Sequence, residues 1–289
     1  MSLACTIAAP AMAFPAEEKA DNKSSRIILG AVGDVFALAN KISTPLAAHR
    51  YAQFAGKVPR GSMITVGASQ TWAQVAAMRQ GSALHRDVVR WAREIKSRPG
   101  RPLLAYSHEP ESAVHSHKGS AGEFIRAFRR VVEVFRQENA DNVRFTWQMT
   151  AWSFRADPSN RLSAPRWYPG DRYVDVVGAD AYNWFTCGEG SGRWMSLRDL
   201  VRPAIAFAKL HEKKSAVPEF ASFTNRRRGG WLDHAHDFLG NHKANIVAAF
   251  YFQQDPTNPA NPDCRWKLTR DAEFSAFRRM ARDSEDFRR

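Results

Sequence analysis

Short apolar runs alternate with one-sided helical patterns from Arg26 almost to the C-terminus, and this alternation narrows the possible folds most. The runs are RIILGAVGD (Arg26–Asp34), MITVGAS (Met63–Ser69), AQVAAM (Ala73–Met78), PLLAYSHE (Pro102–Glu109), VRFTWQM (Val143–Met149), VDVVGADAY (Val174–Tyr182), SAVPEFA (Ser215–Ala221) and IVAAFYFQ (Ile246–Gln253). Most are apolar at successive positions, as strands covered on both faces must be. The segments between them are apolar on one stripe only. LHRDVVRWAREIKS aligns Leu84, Val88, Trp91 and Ile95, and SAGEFIRAFRRVVEVFRQEN aligns Phe124, Phe128, Val131, Val132 and Phe135. Parallel strands sheathed by helices follow from that pairing. Eight runs is the number that closes an α/β barrel, the (β/α)8 or TIM barrel. A doubly wound open sheet would carry a glycine-rich phosphate turn after an early strand, and GAVGDV lacks its spacing. The expected organisation is one barrel over residues 26–289, preceded by a signal-like and linker segment over residues 1–25.

That leading segment ends its apolar stretch in Ala11-Met12-Ala13, which fits a small-residue cleavage site but follows no basic n-region. A secreted or cell-envelope-associated protein is the expectation, with no membrane span, since no apolar run is long enough to cross a bilayer. Of the three cysteines, Cys5 would be lost on export. Cys187 and Cys264 remain, both in loops (FTCGEG and NPDCRW), and a disulfide between them is expected. The net charge of +13 favours anionic partners. The basic residues are spread along the helices, and Arg226, Arg227 and Arg228 form the tightest group. No nucleic-acid-binding module is recognisable, so nucleic acid is not an expected partner. Electrostatic attraction to an anionic envelope polymer is.

A barrel keeps its chemistry at the C-terminal ends of its strands. The fourth run stops in His108 and Glu109, where Pro110 forbids continuation, and the seventh carries Glu219. The sixth ends in Asp180, Tyr182, Asn183 and Trp184, the fifth closes with Trp147 and Gln148, and the eighth carries Tyr251 and Phe252. Two glutamates on one rim, ringed by aromatics, suit glycosidic bond cleavage. One carboxyl protonates the leaving oxygen while the other, ionised, attacks or stabilises the anomeric carbon. The aromatics would offer flat faces to sugar rings. Taken singly, Glu109 is as readily a solvated loop residue, Glu219 a salt-bridged rim residue, and Tyr182 and Trp184 packing beneath a loop. His115 with His117, and His234 with His236, have metal-ligand spacing, but the first pair falls in a loop and the second on a helical pattern. No metal or cofactor is therefore expected. Neither a serine nucleophile elbow nor a phosphate loop is present.

The segments RPLLAYSHEPE, FIRAFRRVVEVFRQENADNVRFTWQM, WYPGDRYVDVVGADAYNW and VPEFAS resemble glycoside hydrolase family 26, a branch of the clan of retaining barrel glycosidases, from about Ile27 to Ala281. His before the acid, in His108-Glu109, points to this family within the clan. The resemblance implies Glu109 as general acid/base and Glu219 as nucleophile. It also implies Tyr182 as a hydrogen-bond partner of the nucleophile and His108 as a sugar contact or acid-orienting group. Trp147, Trp184 and Phe252 complete the expected substrate-binding set. The implied activity is β-mannanase-like, on mannan or a related β-linked polysaccharide. Two departures weigh against mannan itself: SAVHSHKGS after the His-Glu pair has no aromatic, and Tyr251 or Phe252 replaces the usual last-strand tryptophan. A non-catalytic glycan-binding barrel and a metal-dependent barrel hydrolase are the alternatives.

Overall fold

A computed structural model describes residues 26–188, 190–255 and 264–284. The signal-like segment, with Cys5, lies outside them. Eight strands form a closed barrel in chain order: β1 (Ile28–Gly33), β2 (Ala47–Gln53), β3 (Met63–Gly67), β4 (Leu103–Tyr106), β5 (Arg144–Thr150), β6 (Val176–Asn183), β7 (Lys214–Ser222) and β8 (Ile246–Gln253). Every neighbouring pair is parallel, β8 with β1 included. The helices are α1 (Val35–Ile42), α2 (Trp72–Ala76), α3 (Ala83–Lys96), α4 (Ala121–Gln137), α5 (Leu197–Leu210), α6 (Arg228–Asn241) and α7 (Asp271–Asp283). The expected (β/α)8 barrel is thus the observed fold.

One strand of the expected set is exchanged for another. Ala73–Met78 is not a strand: most of it lies in α2. Thr71 caps that helix and Gln74 reaches back to the Thr71 backbone, a reciprocal capping box that wins over a short apolar run. The missing strand is β2, AAHRYAQ, whose inward positions include His49 and Tyr51. It escapes an apolar-run criterion because its inner face is polar.

The barrel interior is filled low down by Ala47, Met63, Leu103, Ala105, Val176, Ala216, Ala248 and Phe250. Gly30 lets β1 approach β2 there, since a Cβ would strike the Ala47 carbonyl and the Phe250 ring. Two larger apolar layers lie between strands and helices. In α4, Phe124, Phe128, Val131, Val132 and Phe135 all face inward as their spacing predicts, and Ser120 and Glu123 cap its start. Each such side chain contributes roughly 1.5–3 kcal/mol of burial free energy.

Two links tie the later elements together. Cys187 and Cys264, 77 residues apart, are disulfide-bonded with Cα atoms 5.3 Å apart, joining the loop after β6 to the segment after β8 as expected. Arg228 is fully buried, and its guanidinium grips Glu273 in two bonds (Nε–Oε1 2.8 Å, Nη2–Oε2 2.7 Å), fixing α6 to α7. It is therefore no part of a basic surface cluster with Arg226 and Arg227.

Candidate active site

After β4 the backbone leaves the extended region. Ser107 (φ 55°) and Glu109 (φ 42°) are both left-handed without being glycine, a costly conformation that surrounding contacts must hold. The holding contacts are visible. The Glu109 N–H donates to the Gln148 carbonyl (2.9 Å), while the Glu109 carbonyl accepts from the Ser112 N–H (2.9 Å) and the His115 ring (3.1 Å). Two residues on, the buried Glu111 accepts from the backbone and hydroxyl of Thr150 (2.8 and 2.7 Å), pinning the turn to the end of β5. Burial raises the Glu111 pKa.

Glu219 rises from β7 and is only 6% exposed. Tyr51 donates its hydroxyl to Oε1 and Tyr182 donates to Oε2, both in short bonds. Burial raises the Glu219 pKa, and the two phenols oppose that rise. Both phenols are themselves pushed well up, by burial first and then by the charge of Glu219, so they remain donors. Tyr182 is where the resemblance implied it. Tyr51 was not foreseen, because β2 was not. The residue is 40% exposed while its hydroxyl is bonded to Glu219, so it both walls the cleft and holds the carboxylate.

His108 stands edge-on to Tyr51 (centroids 4.9 Å) and to His115 (5.1 Å). Burial lowers its pKa to about 3, helped by His115 and His49, so the ring is neutral.

Beneath these residues a polar chain crosses the barrel. His49 Nδ1 meets the Pro218 carbonyl (2.9 Å) and Nε2 meets Thr65 Oγ1 (2.8 Å). Thr65 Oγ1 meets the Gln148 amide (2.8 Å), whose other end meets Asp180 Oδ2 (2.8 Å). Burial lowers the His49 pKa to about 4, so the ring carries one proton. The Pro218 carbonyl can only accept, which puts that proton on Nδ1. Nε2 then accepts, and Thr65 spends its single proton there. The amide must accordingly give an N–H to Thr65 and turn its oxygen to Asp180. Two bare oxygens do not bond, so Asp180 Oδ2 holds a proton. Burial, and then the charges of Glu219 and Glu109, raise the Asp180 pKa well above the carboxylate range, in agreement with the count. The negative charge of this buried pair sits on Glu219, which has two phenol donors.

The aromatic wall differs from expectation in two members. Tyr182 packs with Trp184 (5.7 Å), Phe252 (5.7 Å) and Trp266 (5.1 Å), and Trp184 meets Trp266 edge-on (5.1 Å). Trp266, in the segment after β8, was not anticipated. Trp147 is not in the site. The period-2 alternation of β5 turns Gln148 inward and Trp147 outward. Trp147 is fully buried against Phe154, Tyr168 and Phe207, on the helix side of the barrel.

The paired histidines stand apart from each other. His115 and His117 lie in a 3₁₀ turn (Ala113–Lys118), while His234 and His236 lie on α6, where His236 faces Asp283 at 3.0 Å. Among the described residues, no group of three or more His, Cys, Asp or Glu could hold a metal ion. None of their helices is long and apolar enough to cross a membrane.

The family model "Glycosyl hydrolase family 26" matches residues 118–251, which include Tyr182 and Glu219. Endoglucanase H of Acetivibrio thermocellus is 26% identical over 202 residues, 67% of this chain. The match spans only 21% of that protein's length. Among solved structures, a family 26 β-mannanase from Bacteroides ovatus superposes with a TM-score of 0.58 at 13% identity, covering 90% of each chain. A modular endo-β-1,4-mannanase from Cellulomonas fimi gives 0.58 at 16% identity, covering 89% of this chain and 70% of that one. At such identities these two likenesses carry the fold. The family model and the barrel shared with these structures agree with the resemblance to glycosyl hydrolase family 26, which the model carries across residues 118–251.

Proposed function

We propose that the chain is an exported retaining glycoside hydrolase of a β-linked polysaccharide, with Glu219 as nucleophile and Glu109 as general acid/base. The observation that carries the reading is the setting of Glu219, a buried strand-end carboxylate with a phenol on each oxygen, on the rim that also bears Glu109. In the first step Glu109 gives its proton to the leaving oxygen as a Glu219 oxygen attacks the anomeric carbon. The glycosidic bond breaks and a glycosyl ester forms. In the second, Glu109 takes a proton from water, the water attacks the same carbon, and Glu219 leaves as carboxylate. Esterification removes the charge that the phenols of Tyr51 and Tyr182 grip best. Their bonds strengthen again as Glu219 departs, which favours the second step. Trp184, Phe252 and Tyr182 supply flat faces for sugar rings. Export is supported by the disulfide, a bond that persists in oxidising compartments.

Released reducing ends measured across a panel of β-mannans, xylans and β-glucans would identify the substrate. Two variants then test the roles. Glu219→Ala should lose activity on every substrate, by about a thousandfold or more. Glu109→Ala should keep its first step on a glycoside with a good leaving group, and azide should restore turnover with a β-glycosyl azide as product. Azide rescue of Glu219→Ala alone, with retained configuration, would reverse the assignment. Full activity in both variants would end the glycosidase reading.

A further inference from the structure

The loops after β5, β6 and β7 carry exposed arginines, Arg155, Arg193 and Arg227, that have no carboxylate at ion-pair distance among the described residues. Cations in other loops of the same rim are engaged. Lys267 faces Asp34 (4.0 Å), Arg265 faces Asp255 (3.6 Å), and Lys118 donates to the carbonyls of Ala68 and Ser69 (2.9 and 3.0 Å). Two of the first three are nonetheless held in place. Arg155 Nη1 rests on Met195 Sδ (3.3 Å), and Arg227 lies over the Trp194 ring (4.4 Å). Arg193 precedes Trp194 and Met195 directly, the two residues that Arg227 and Arg155 touch, so the three cations share one patch; in keeping with that, burial and then the Arg193 charge lower the Arg155 pKa. Guanidiniums gathered in one patch repel, and an anion among them removes the repulsion. Asp157 does not serve, because it turns back onto the N–H and hydroxyl of Ser159 (2.8 and 2.6 Å). Trp152, three residues before Arg155, exposes 47% of its surface and gives the patch a flat apolar face.

The barrel mouth has the opposite character, with the ionised Glu219 set among three further carboxyl groups, those of Glu109, Glu111 and Asp180. A charged sugar would be repelled from the cleavage point and drawn to the rim. We infer that the rim over β5–β7 is a distal subsite for a carboxylate-bearing sugar, gripped by Arg155 and Arg193 beside Trp152, on a β-glycan whose ring at the cleavage point is neutral. The identity of the ligand as a β-glycan rests on the glycosidase reading; the anion site does not.

The test is affinity electrophoresis of the full chain carrying Glu219→Gln, which leaves the polymer intact. Sparsely substituted carboxymethyl-cellulose is compared with neutral hydroxyethyl-cellulose, at low and moderate salt. Retardation should be stronger on the carboxylated polymer and fade with salt. Adding Arg155→Gln and Arg193→Gln should weaken that binding about fivefold to tenfold and leave the neutral polymer nearly unaffected. Arg126→Gln with Arg202→Gln, exposed arginines on α4 and α5, should change neither. Equal retardation on the two polymers, or an equal loss in the control pair, would overturn the inference. A silent reducing-end assay with the unsubstituted chain would count against the hydrolase reading alone, and the gel result would stand.

Discussion

Asp180 and the two buried histidines sit at the same site and respond to pH in opposite directions. The Asp180 pKa is raised, so the folded state holds a proton that the unfolded state releases above about pH 4. Its stabilising contribution is complete below that pH and is lost as pH climbs towards the folded pKa, by about 1.4 kcal/mol per unit. Asp180→Asn replaces a neutral acid with a neutral amide and removes this loss. The variant should gain stability over the parent as pH rises from 4 to 8, read from urea melts. Its infrared spectrum at neutral pH should show a weaker carbonyl band of neutral carboxylic acid than the parent's, by the share of Asp180. A band of equal strength in the two would mean Asp180 is ionised in the parent. His49 and His108 have lowered pKa values, about 4 and about 3, so their contribution is intact above their ordinary value of 6.5. It is lost as pH falls from there through those values.

At the scale of elements, the seam between α6 and α7 holds one buried ion pair, Arg228 with Glu273, beside the more exposed pairs His236–Asp283 and Arg279–Asp233. Arg228 also donates to the carbonyls of Arg265 (3.0 Å) and Lys267 (2.9 Å), and Glu273 accepts from the N–H groups of Thr269 and Arg270 (2.9 and 3.1 Å). Arg228→Ala would strand a buried carboxylate, and about 3–5 kcal/mol of stability should go with it. Arg226→Ala, at an exposed position two residues earlier, should cost less than about 0.5 kcal/mol. Sequence alone cannot separate these neighbours, because burial is decided by a partner 45 residues away. The same limit explains β2. The other seven strands announce themselves by apolar residues on both faces. β2 has His49 and Tyr51 where apolar residues would stand, because its inner face belongs to the site. Tyr51 was thus hidden by its own role. The strand-end glutamates, His108 and Tyr182 were legible because each follows a recognisable strand. Trp147 was misplaced by a single-residue step, which in a strand reverses the face. The capping box of Thr71 and Gln74 was present in the sequence, and reading it would have made Ala73–Met78 a helix.

For the molecule as a whole, hydrogen-bonded strands close the barrel between β8 and β1, and the disulfide closes it again at the rim. A link spanning 77 residues restricts the unfolded chain by about 4 kcal/mol in the loop-entropy account. Cys187→Ser with Cys264→Ser should lower the melting temperature by several degrees, and a reductant should do the same to the parent but not to the double variant. The two cysteines also differ in when they exist. Synthesis delivers Cys187 long before Cys264, with β7, α6 and β8 made in between. Cys264 follows β8 in the chain, so the native bond waits until the last strand has been made. Oxidation of this pair therefore marks a chain in possession of all its strands: one halted before β8 keeps a free thiol at Cys187, and one that carries the bond holds every strand the barrel needs.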